Sequence, residues 1–503
     1  MSSDSGVRPS EDSQAARSWQ SPEVSERQVR WYLVALIVAS TLIFTYLAQR
    51  KYECLNWESP DTASIGYGFF HSLEGKFFPY YGRAGCLLGE HADFVLVAWF
   101  PVFRLAPSMV SLFFFQSLMI SLAAWPAYLL ARQYRCDRAT ALLAAAGLLL
   151  FPPVVSQHVN QIHEDQFALV FLLFSLRFFE RRSFIAFLLF MVLATLAKET
   201  VALTVLMFGI YALAQRRRWP WIAAPVAWSS AYLTVMLKWL MPKWGAWGPA
   251  VYGRMLYFAN YGDSPGEVLK NLAQHPAATL AIVLAPDRLL YLGLLLAPLA
   301  VAGPFRSCVW LLAIPSLLIN LLASNHLLRD LSWHYSLIPS ALLWISFISA
   351  IPQWTLFLRR RFGLHNYPRI LCLTGLILDI GFCPLWLSPW QYQPTAAHLA
   401  RHEAIASVPV NASVLSPENM LAHFVRHPAI HSLGGLRYAR RDPNDVFDYD
   451  YIVFDATYPS PDWKAQSQLF DLISKLPEYR LAFSRDNIYV FQRVGTPARA
   501  LSW

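Results

Sequence analysis

Apolar blocks about as long as a lipid bilayer is thick recur along this chain, and each is closed by a basic cluster or a polar loop. A chain patterned this way folds as a bundle of membrane helices, because a helix satisfies its own backbone polar groups inside lipid. The blocks stand near 31–48, 107–131, 139–154, 165–180, 183–197, 200–214, 220–241, 284–303, 306–323, 335–353 and 370–388, which predicts eleven spans. Of the 503 residues, 56% are hydrophobic and 15% charged, a balance that excludes an ordinary soluble enzyme. The stretch 93–105 is too short to cross a bilayer and contains Pro101 and Arg104, so it reads as re-entrant or interfacial.

Arginine placement predicts the orientation. With a cytoplasmic N-terminus, the inside loops receive Arg27 and Arg30, then Arg132, Arg135 and Arg138, then Arg181 and Arg182, Arg216 to Arg218, Arg306, and Arg359 to Arg361. Every second loop is basic, as positive-inside topology requires. The net charge of +9 records this asymmetry and gives no reason to expect a nucleic-acid partner. Residues 1–30 read as a disordered cytoplasmic tail, and 31–48 as a retained signal anchor. Residues 31–388 form the expected transmembrane domain, with a large first outer loop over 49–106.

Beyond Ser388 the composition turns polar and the period changes. "ASVLSPE", "AIHSLG" and "YDYIVFDA" read as short strands, "DWKAQSQLFDLISKL" as an amphipathic helix, and "YRLAFSRDNIYVFQRV" as a hairpin. Residues 389–503 are therefore expected to be a small extracytoplasmic α/β domain. It carries no GxGxxG and no P-loop, so nothing points to nucleotide binding. Six cysteines show no CxxC spacing, which argues against a structural zinc site. Cys54 and Cys86 share the first outer loop, where an oxidising compartment allows them to pair or to remain two thiols.

The chemically capable residues gather on the expected outer side. They are Glu58 and Asp61; Glu90, His91 and Asp93; His158, His163, Glu164 and Asp165; Lys198 and Glu199; and Asn325, His326, Arg329, Asp330 and His334. Several also have purely structural readings. Ser59, Pro60 and Asp61 can start a helix as cap, first residue and first-turn acid, and Glu164 and Asp165 can do the same for the span they precede. His91 and His163 can be hydrogen-bonded interfacial histidines. Lys198 and Glu199, between two short apolar runs, are the hardest to dismiss, because ionisable residues at membrane depth are expensive and usually functional.

The order of "GEHADFVLVAWFPVFRLAPSMVSLFFFQSL", "HEDQFAL", "LAKET", "HYSLIPSALLW", "VPVNASVLSPE" and "YDYIVFD" resembles a family of bacterial polytopic membrane proteins of unknown function grouped with the GT-C glycosyltransferases. The likeness runs from about Asp61 into the C-terminal domain. It implies a many-helix fold, with helices along the membrane in the first outer loop. The activity it implies is sugar transfer from a polyprenyl-phosphate donor to an acceptor on the outer face. GT-C enzymes commonly carry an acid in that first outer loop, and Asp61 matches by position and type. Here "SPDT" stands where a paired-acid motif is usual.

On that reading Asp61, Glu164 and Asp165 are the catalytic candidates, with a carboxylate at a dry membrane edge expected to have a raised pKa. Lys198 is the first candidate to meet the lipid phosphate, with Arg329 and Arg254 behind it. Glu90, His91, Asp93, His163, Glu199 and His334 are the remaining substrate-binding candidates. A divalent cation such as Mg or Mn, held through oxygen ligands, is one use of such a wall. Aromatic residues Trp244, Trp247, Tyr252 and Tyr261 in the loop 242–276 suit either a sugar or the membrane interface. The expected partners are the donor lipid, membrane lipids, and an acceptor that is lipid, glycan or protein. Two other classes stay open: a transporter or flippase, and a non-enzymatic scaffold in which Asp61, Glu164 and Lys198 would not converge.

Overall fold

A computed structural model describes residues 25–56, 60–81, 85–245, 257–258, 260–262, 264–299, 305, 307–362, 373, 375–378, 380–381, 388–434, 449–458 and 463–495. Helices dominate to residue 362, and each apolar block from 31 to 353 coincides with a helix or a helix pair. The block at 370–388 lies mostly outside the described residues. Eleven full spans are not seen. Among the described residues, three helices are long and apolar enough to cross a membrane: Glu26–Glu53, Met109–Gln133 and His334–Trp354. The number rises to five if each of two bent pairs counts as one span.

Local sequence explains the shortfall. The helix Arg138–Leu150 gives way to Pro152–Val159 with a 52° bend, since adjacent prolines cannot continue the hydrogen-bond ladder. A second pair, Pro276–Val283 and Pro286–Leu299, bends by 57° at another proline. Phe184–Thr195 and Val201–Ala214 are separate short helices, and Lys198 and Glu199 occupy the break between them.

Buried polar contacts bind these helices, where two apolar faces gain little by meeting in lipid. Ser121 donates to Ser40 Oγ at 2.9 Å, tying Met109–Leu122 to Glu26–Glu53. Trp344, on Leu337–Phe362, donates from Nε1 to the Ala144 carbonyl at 2.9 Å. Trp228 and Tyr232 hold the end of Phe184–Thr195 through Thr195 Oγ1 and its carbonyl, at 3.1 and 2.7 Å.

The C-terminal domain follows its sequence pattern closely. Strands β1 (Val414–Ser416), β2 (Ile430–Ser432), β3 (Tyr451–Asp455), β4 (Tyr479–Arg485) and β5 (Ile488–Arg493) form one sheet in the order β2-β1-β3-β5-β4. β1 runs parallel to β2 and β3, while β5 is antiparallel to β3 and β4. The expected helix appears as Trp463–Ile473. This domain shares one hydrophobic core with the bundle. His423 stacks on Tyr52 at 4.0 Å, Tyr67 donates to the Pro428 carbonyl at 2.7 Å, and His402 Nε2 lies 2.9 Å from the Glu53 carbonyl oxygen.

Cys54 and Cys86 do not pair: both are buried free thiols. Each is committed to its own local structure. Cys54 ends the first helix, with its N–H donating to the Arg50 carbonyl at 2.9 Å and the next N–H, of Leu55, to the Tyr52 carbonyl at 3.0 Å. Cys86 forms a bridge with Pro79 and donates from its N–H to the Trp244 carbonyl at 2.9 Å.

Candidate active site

Three chain breaks meet at one end of the bundle. The first is the start of Pro60–Ser72, where Pro60 fixes the opening turn and Asp61 follows as a first-turn acid. Ser59, its expected cap, lies outside the described residues. The second is the loop 160–164 before Asp165–Glu180, which carries His163 and Glu164. The third is the break holding Lys198 and Glu199.

Side chains stitch the three together. Thr62 Oγ1 accepts from the Ile162 N–H at 3.1 Å, docking the second break on the first. Gln166 shapes the loop from within, accepting from the His163 N–H at 3.1 Å and donating to the Gln157 and Gln161 carbonyls at 3.0 and 2.7 Å. The Leu196 carbonyl accepts from the N–H groups of Phe94 and Val95, bringing the segment after Glu90 against the third break.

The result is one network of ionisable groups. Asp61 Oδ2 lies 3.2 Å from His163 Nε2, which is also 2.7 Å from Gln161 Oε1. His163 Nδ1 is 3.5 Å from Glu164 Oε2, and that oxygen is 3.7 Å from His91 Nε2 and 3.6 Å from Lys198 Nζ. Lys198 Nζ makes its short contact with Asp165 Oδ2 at 2.5 Å. The His334 ring stacks on His163 at 3.5 Å and places Nε2 3.9 Å from Asp165. Lys198, His163, His334, Glu164 and Asp165 are buried, whereas the Asp61 side chain is 37% exposed.

Electrostatics follow from that packing. Burial opposes charge on His163, but Asp61 and Glu164 outweigh it and push the imidazole up to about 9. Burial likewise opposes the Asp61 carboxylate, yet the His163 hydrogen bond and charge hold it below its ordinary value. The expected rise is thus reversed at Asp61, because a cation stands against the carboxylate. Glu164 is desolvated too, and His91, His163 and Lys198 together keep it well below the usual range. Burial lowers Lys198, but Asp165, Glu164 and Glu199 more than restore its charge and raise it.

A cavity of about 570 Å³ opens on this network. Asp61, Glu90, His91, His163, Asp165, Lys198 and His334 line its polar side. Pro315, Ile319, Leu327, Leu328 and Ile338, with Tyr257 and Phe258, also line it. Glu418 and Ser432 of the C-terminal domain also face in.

Several candidates fall elsewhere. Asp93 is buried off the cavity as a helix cap, accepting from the Leu96 N–H at 3.2 Å. Burial and the Glu164 charge hold its carboxyl well above the ordinary value, favouring the neutral form. Glu199 lies behind the cavity wall, 3.1 Å from His91 Nδ1 and accepting from the Ala92 N–H at 3.2 Å. It sets the position of His91. Arg329 is not in the lining. It is tied to Asp287 at 3.0 Å and donates to the carbonyls of Asn320 and Ala323 at 3.1 and 2.7 Å, closing off the helix Ile314–Leu322. Arg254, Trp247 and Tyr252 lie outside the described residues, and Tyr261 donates to the Leu322 carbonyl at 3.2 Å.

Among the described residues, no group of three or more His, Cys, Asp or Glu side chains is arranged to hold a metal ion. The carboxylates instead face Lys198, His91 and His163, so these donors do not fit Mg or Mn as placed. Sequence reasoning missed Tyr257, Phe258, Glu418 and Ser432. The one available signal for the last two was their position just past or at the end of a strand.

The family model described as predicted membrane protein, DUF2079, matches residues 62–490. The chain belongs to that family. The matched stretch begins just after Asp61 and takes in the rest of the helix Pro60–Ser72, the breaks at 160–164 and at Lys198 and Glu199, and most of the C-terminal sheet. The apo structure of ArnT from Cupriavidus metallidurans is similar at a TM-score of 0.50 and 13% identity, covering 95% of this chain and 98% of that one. ArnT bound to undecaprenyl phosphate gives 0.49 and 13%, covering 92% and 98%. No curated protein matches in sequence. This family member thus has a GT-C-like membrane fold, as its sequence resemblance implied.

Proposed function

We propose that this protein is a membrane glycosyltransferase that takes a sugar from a polyprenyl-phosphate donor and works on the extracytoplasmic face. The amphiphilic cavity carries the reading. Its lining combines ionisable groups with aliphatic and aromatic surface, matching a ligand with a charged head and an apolar tail. Undecaprenyl phosphate is the lipid to test, because a protein of this fold, ArnT, has been solved with it bound.

In this reading Asp61, the most exposed carboxylate of the network, accepts the proton of the acceptor hydroxyl. As that oxygen bonds to the anomeric carbon, the bond from this carbon to the phosphate oxygen breaks and its electron pair leaves on the lipid phosphate. The cations at hand to stabilise the developing charge are His163 and Lys198. Glu164 and Asp165 are positioning residues: they hold those two cations charged and in place. Convergence of Asp61, Glu164 and Lys198 is the reverse of what a scaffold requires.

The test is native mass spectrometry of the detergent-purified protein with undecaprenyl phosphate and with phosphatidylglycerol. Wild type is expected to retain the polyprenyl lipid selectively, Asp61→Asn to retain it through Lys198 but less tightly because His163 loses its counter-ion, and Lys198→Met to lose it under conditions in which elution as a monodisperse species shows that it is still folded. If wild type holds phosphatidylglycerol equally well, the donor reading is abandoned and transport becomes the next hypothesis to test.

A further inference from the structure

Three helices close with the same turn at the end of the bundle away from the cavity. Asp165–Glu180 starts against Lys198 and runs about 24 Å to that end, and Val201–Ala214 runs the same way from the Lys198 break. Arg177 donates to Gln133 Oε1 and so brings the end of Ala124–Gln133 to the same level. Each helix finishes with the two backbone bonds of the Schellman motif. The Cys136 N–H donates to the Ala131 carbonyl and the Arg135 N–H to that of Arg132. Ser183 and Arg182 repeat this on Phe178 and Phe179, and Arg217 and Arg216 on Ala212 and Leu213.

The motif places one residue in the left-handed region, where glycine is the ordinary choice. Here that residue is arginine each time: Arg135, Arg182 and Arg216 have φ of 69°, 59° and 53°. Leu55 makes a left-handed turn at the opposite end of the bundle, but it is buried in the core, and its packing accounts for it. The three arginines are exposed, so packing accounts for none of them. The helix dipoles and the rule of basic loops on one side of the membrane do not account for them either. Arg132, Arg181 and Arg217 satisfy both from neighbouring positions without a left-handed backbone.

These charges have no protein counter-ion. Among the described residues, the side chains of Arg135, Arg182 and Arg216 make no ion pair and no hydrogen bond, and the nearby acids are engaged elsewhere. Asp137 accepts from the Thr140 N–H at 3.0 Å and its hydroxyl at 2.7 Å, and Glu26 is 3.7 Å from Arg138. Glu180 accepts from the Tyr211 hydroxyl and, at 3.1 Å, from Gln215 Nε2, and it lies 3.9 Å from Arg217. Arg217 Nη1 is buried without a hydrogen-bond partner. The second and third turns are neighbours: burial lowers the Arg217 pKa, and the Arg182 charge lowers it further against the pull of Glu180. Exposed apolar side chains, Ile185, Leu213 and Trp219, begin within one helical turn of the arginines, which puts this level at the lipid headgroups.

We propose that the turns at Arg135, Arg182 and Arg216 seat the headgroup of an anionic phospholipid that carries two phosphates, the class of cardiolipin. Charge complementarity selects phosphate, and the apolar neighbours select a lipid. Unpaired arginines on adjacent turns select two phosphates on one molecule, because the second contact is then intramolecular. The site is at the other end of the bundle from Lys198 and does not depend on the transferase reading.

The test uses the full-length protein, stripped of lipid in neutral detergent and offered cardiolipin, phosphatidylglycerol or phosphatidylcholine under native mass spectrometry. Wild type is expected to retain cardiolipin best. Each of Arg135→Gly, Arg182→Gly and Arg216→Gly is expected to cut that retention about fivefold, the weight of one basic residue at an anionic surface. Their melting temperature in lipid-free detergent is expected to hold or rise, because glycine takes the left-handed turn without strain. Should a glycine variant fail to fold, wild type carries the test through salt, since its cardiolipin retention has to fall steeply between about 0.05 and 0.5 M. Equal retention of cardiolipin and phosphatidylglycerol by wild type would overturn the two-phosphate assignment. Equal cardiolipin retention by wild type and the triple glycine variant would overturn the site. Glycine variants that fold but melt lower without lipid would show that the arginines serve the fold, and inorganic phosphate that stabilises wild type as much as cardiolipin does would replace the lipid with a soluble anion.

Discussion

Asp61 and His163 stand 3.2 Å apart, carboxylate to imidazole, so that a residue opening one helix sets the protonation of a residue in a distant loop. The pair explains why neither behaves as its sequence context suggests. Burial alone would discharge both, yet each stabilises the charged form of the other.

This pairing makes stability depend on pH in a stated direction. His163 is raised from about 6.5 to about 9 on folding, so its contribution is fully present below 6.5 and is lost as pH rises through 9. The Asp61 shift is downward and acts only on acidification, outside that window. Wild-type thermal stability should therefore decline between pH 6.5 and 9. In Asp61→Asn the decline should flatten, and the His163 midpoint should move down in NMR titration of labelled histidine. An unchanged midpoint would show that Asp61 does not govern His163.

Asp93 gives a second test. Its carboxyl is favoured in the neutral form and serves as a helix cap at the Leu96 N–H. Asp93→Asn preserves a neutral capping oxygen and should leave the denaturation midpoint unchanged. Asp93→Ala removes the cap and should cost about 1 kcal/mol. A large loss in Asp93→Asn would mean that the charge on Asp93 matters.

How legible this was in sequence differs by region. The C-terminal strands were readable because alternation and turn residues are local signals, and β1 to β5 fall within the predicted segments. The convergence of Asp61, His163, Glu164, Asp165 and Lys198 was foreshadowed by a rule about expense: ionisable residues beside apolar runs need partners. Span lengths were not readable. The break at Pro152 divides one apolar block, the blocks on either side of Lys198 give helices too short to qualify alone, and packing decides whether such pieces bend or continue. Asp93 and Arg329 were assigned to substrate because residue type does not reveal that a nearby backbone group will claim the side chain. Glu418 and Ser432 were missed because a place at or just past a strand end does not reveal that this edge of the domain meets the bundle, which is a tertiary fact.

The cysteines provide a direct check on the first loop. Cys54, Cys86 and Cys136 are buried, and Cys308 is exposed. Burial raises the first three thiols, reaching about 12 at Cys136, so their reactive thiolates are scarce. Brief maleimide treatment of the native protein, mapped by peptide mass, should mark Cys308 and spare these three until unfolding. Reductant should leave the melting temperature unchanged. A drop in melting temperature on reduction would reveal a bridge between Cys54 and Cys86.

Lys198 supplies the sharpest energetic prediction. Its ammonium lies 2.5 Å from Asp165 and 3.6 Å from Glu164, with all three side chains buried. Removing the cation alone strands buried carboxylates, and breaking such a pair typically costs about 3 to 5 kcal/mol. Removing the opposing charge as well should relieve much of that cost. Lys198→Met is therefore expected to destabilise the protein strongly in a detergent denaturation series. Lys198→Met combined with Asp165→Asn should recover about 1 to 3 kcal/mol relative to additivity. Purely additive single and double variants would show that the two side chains do not interact, and the geometry that makes Asp165 a positioning residue for Lys198 would be refuted. If coupling is present but Asp165→Asn alone also weakens lipid retention, Asp165 acts on the donor through Lys198, as the short contact between them requires.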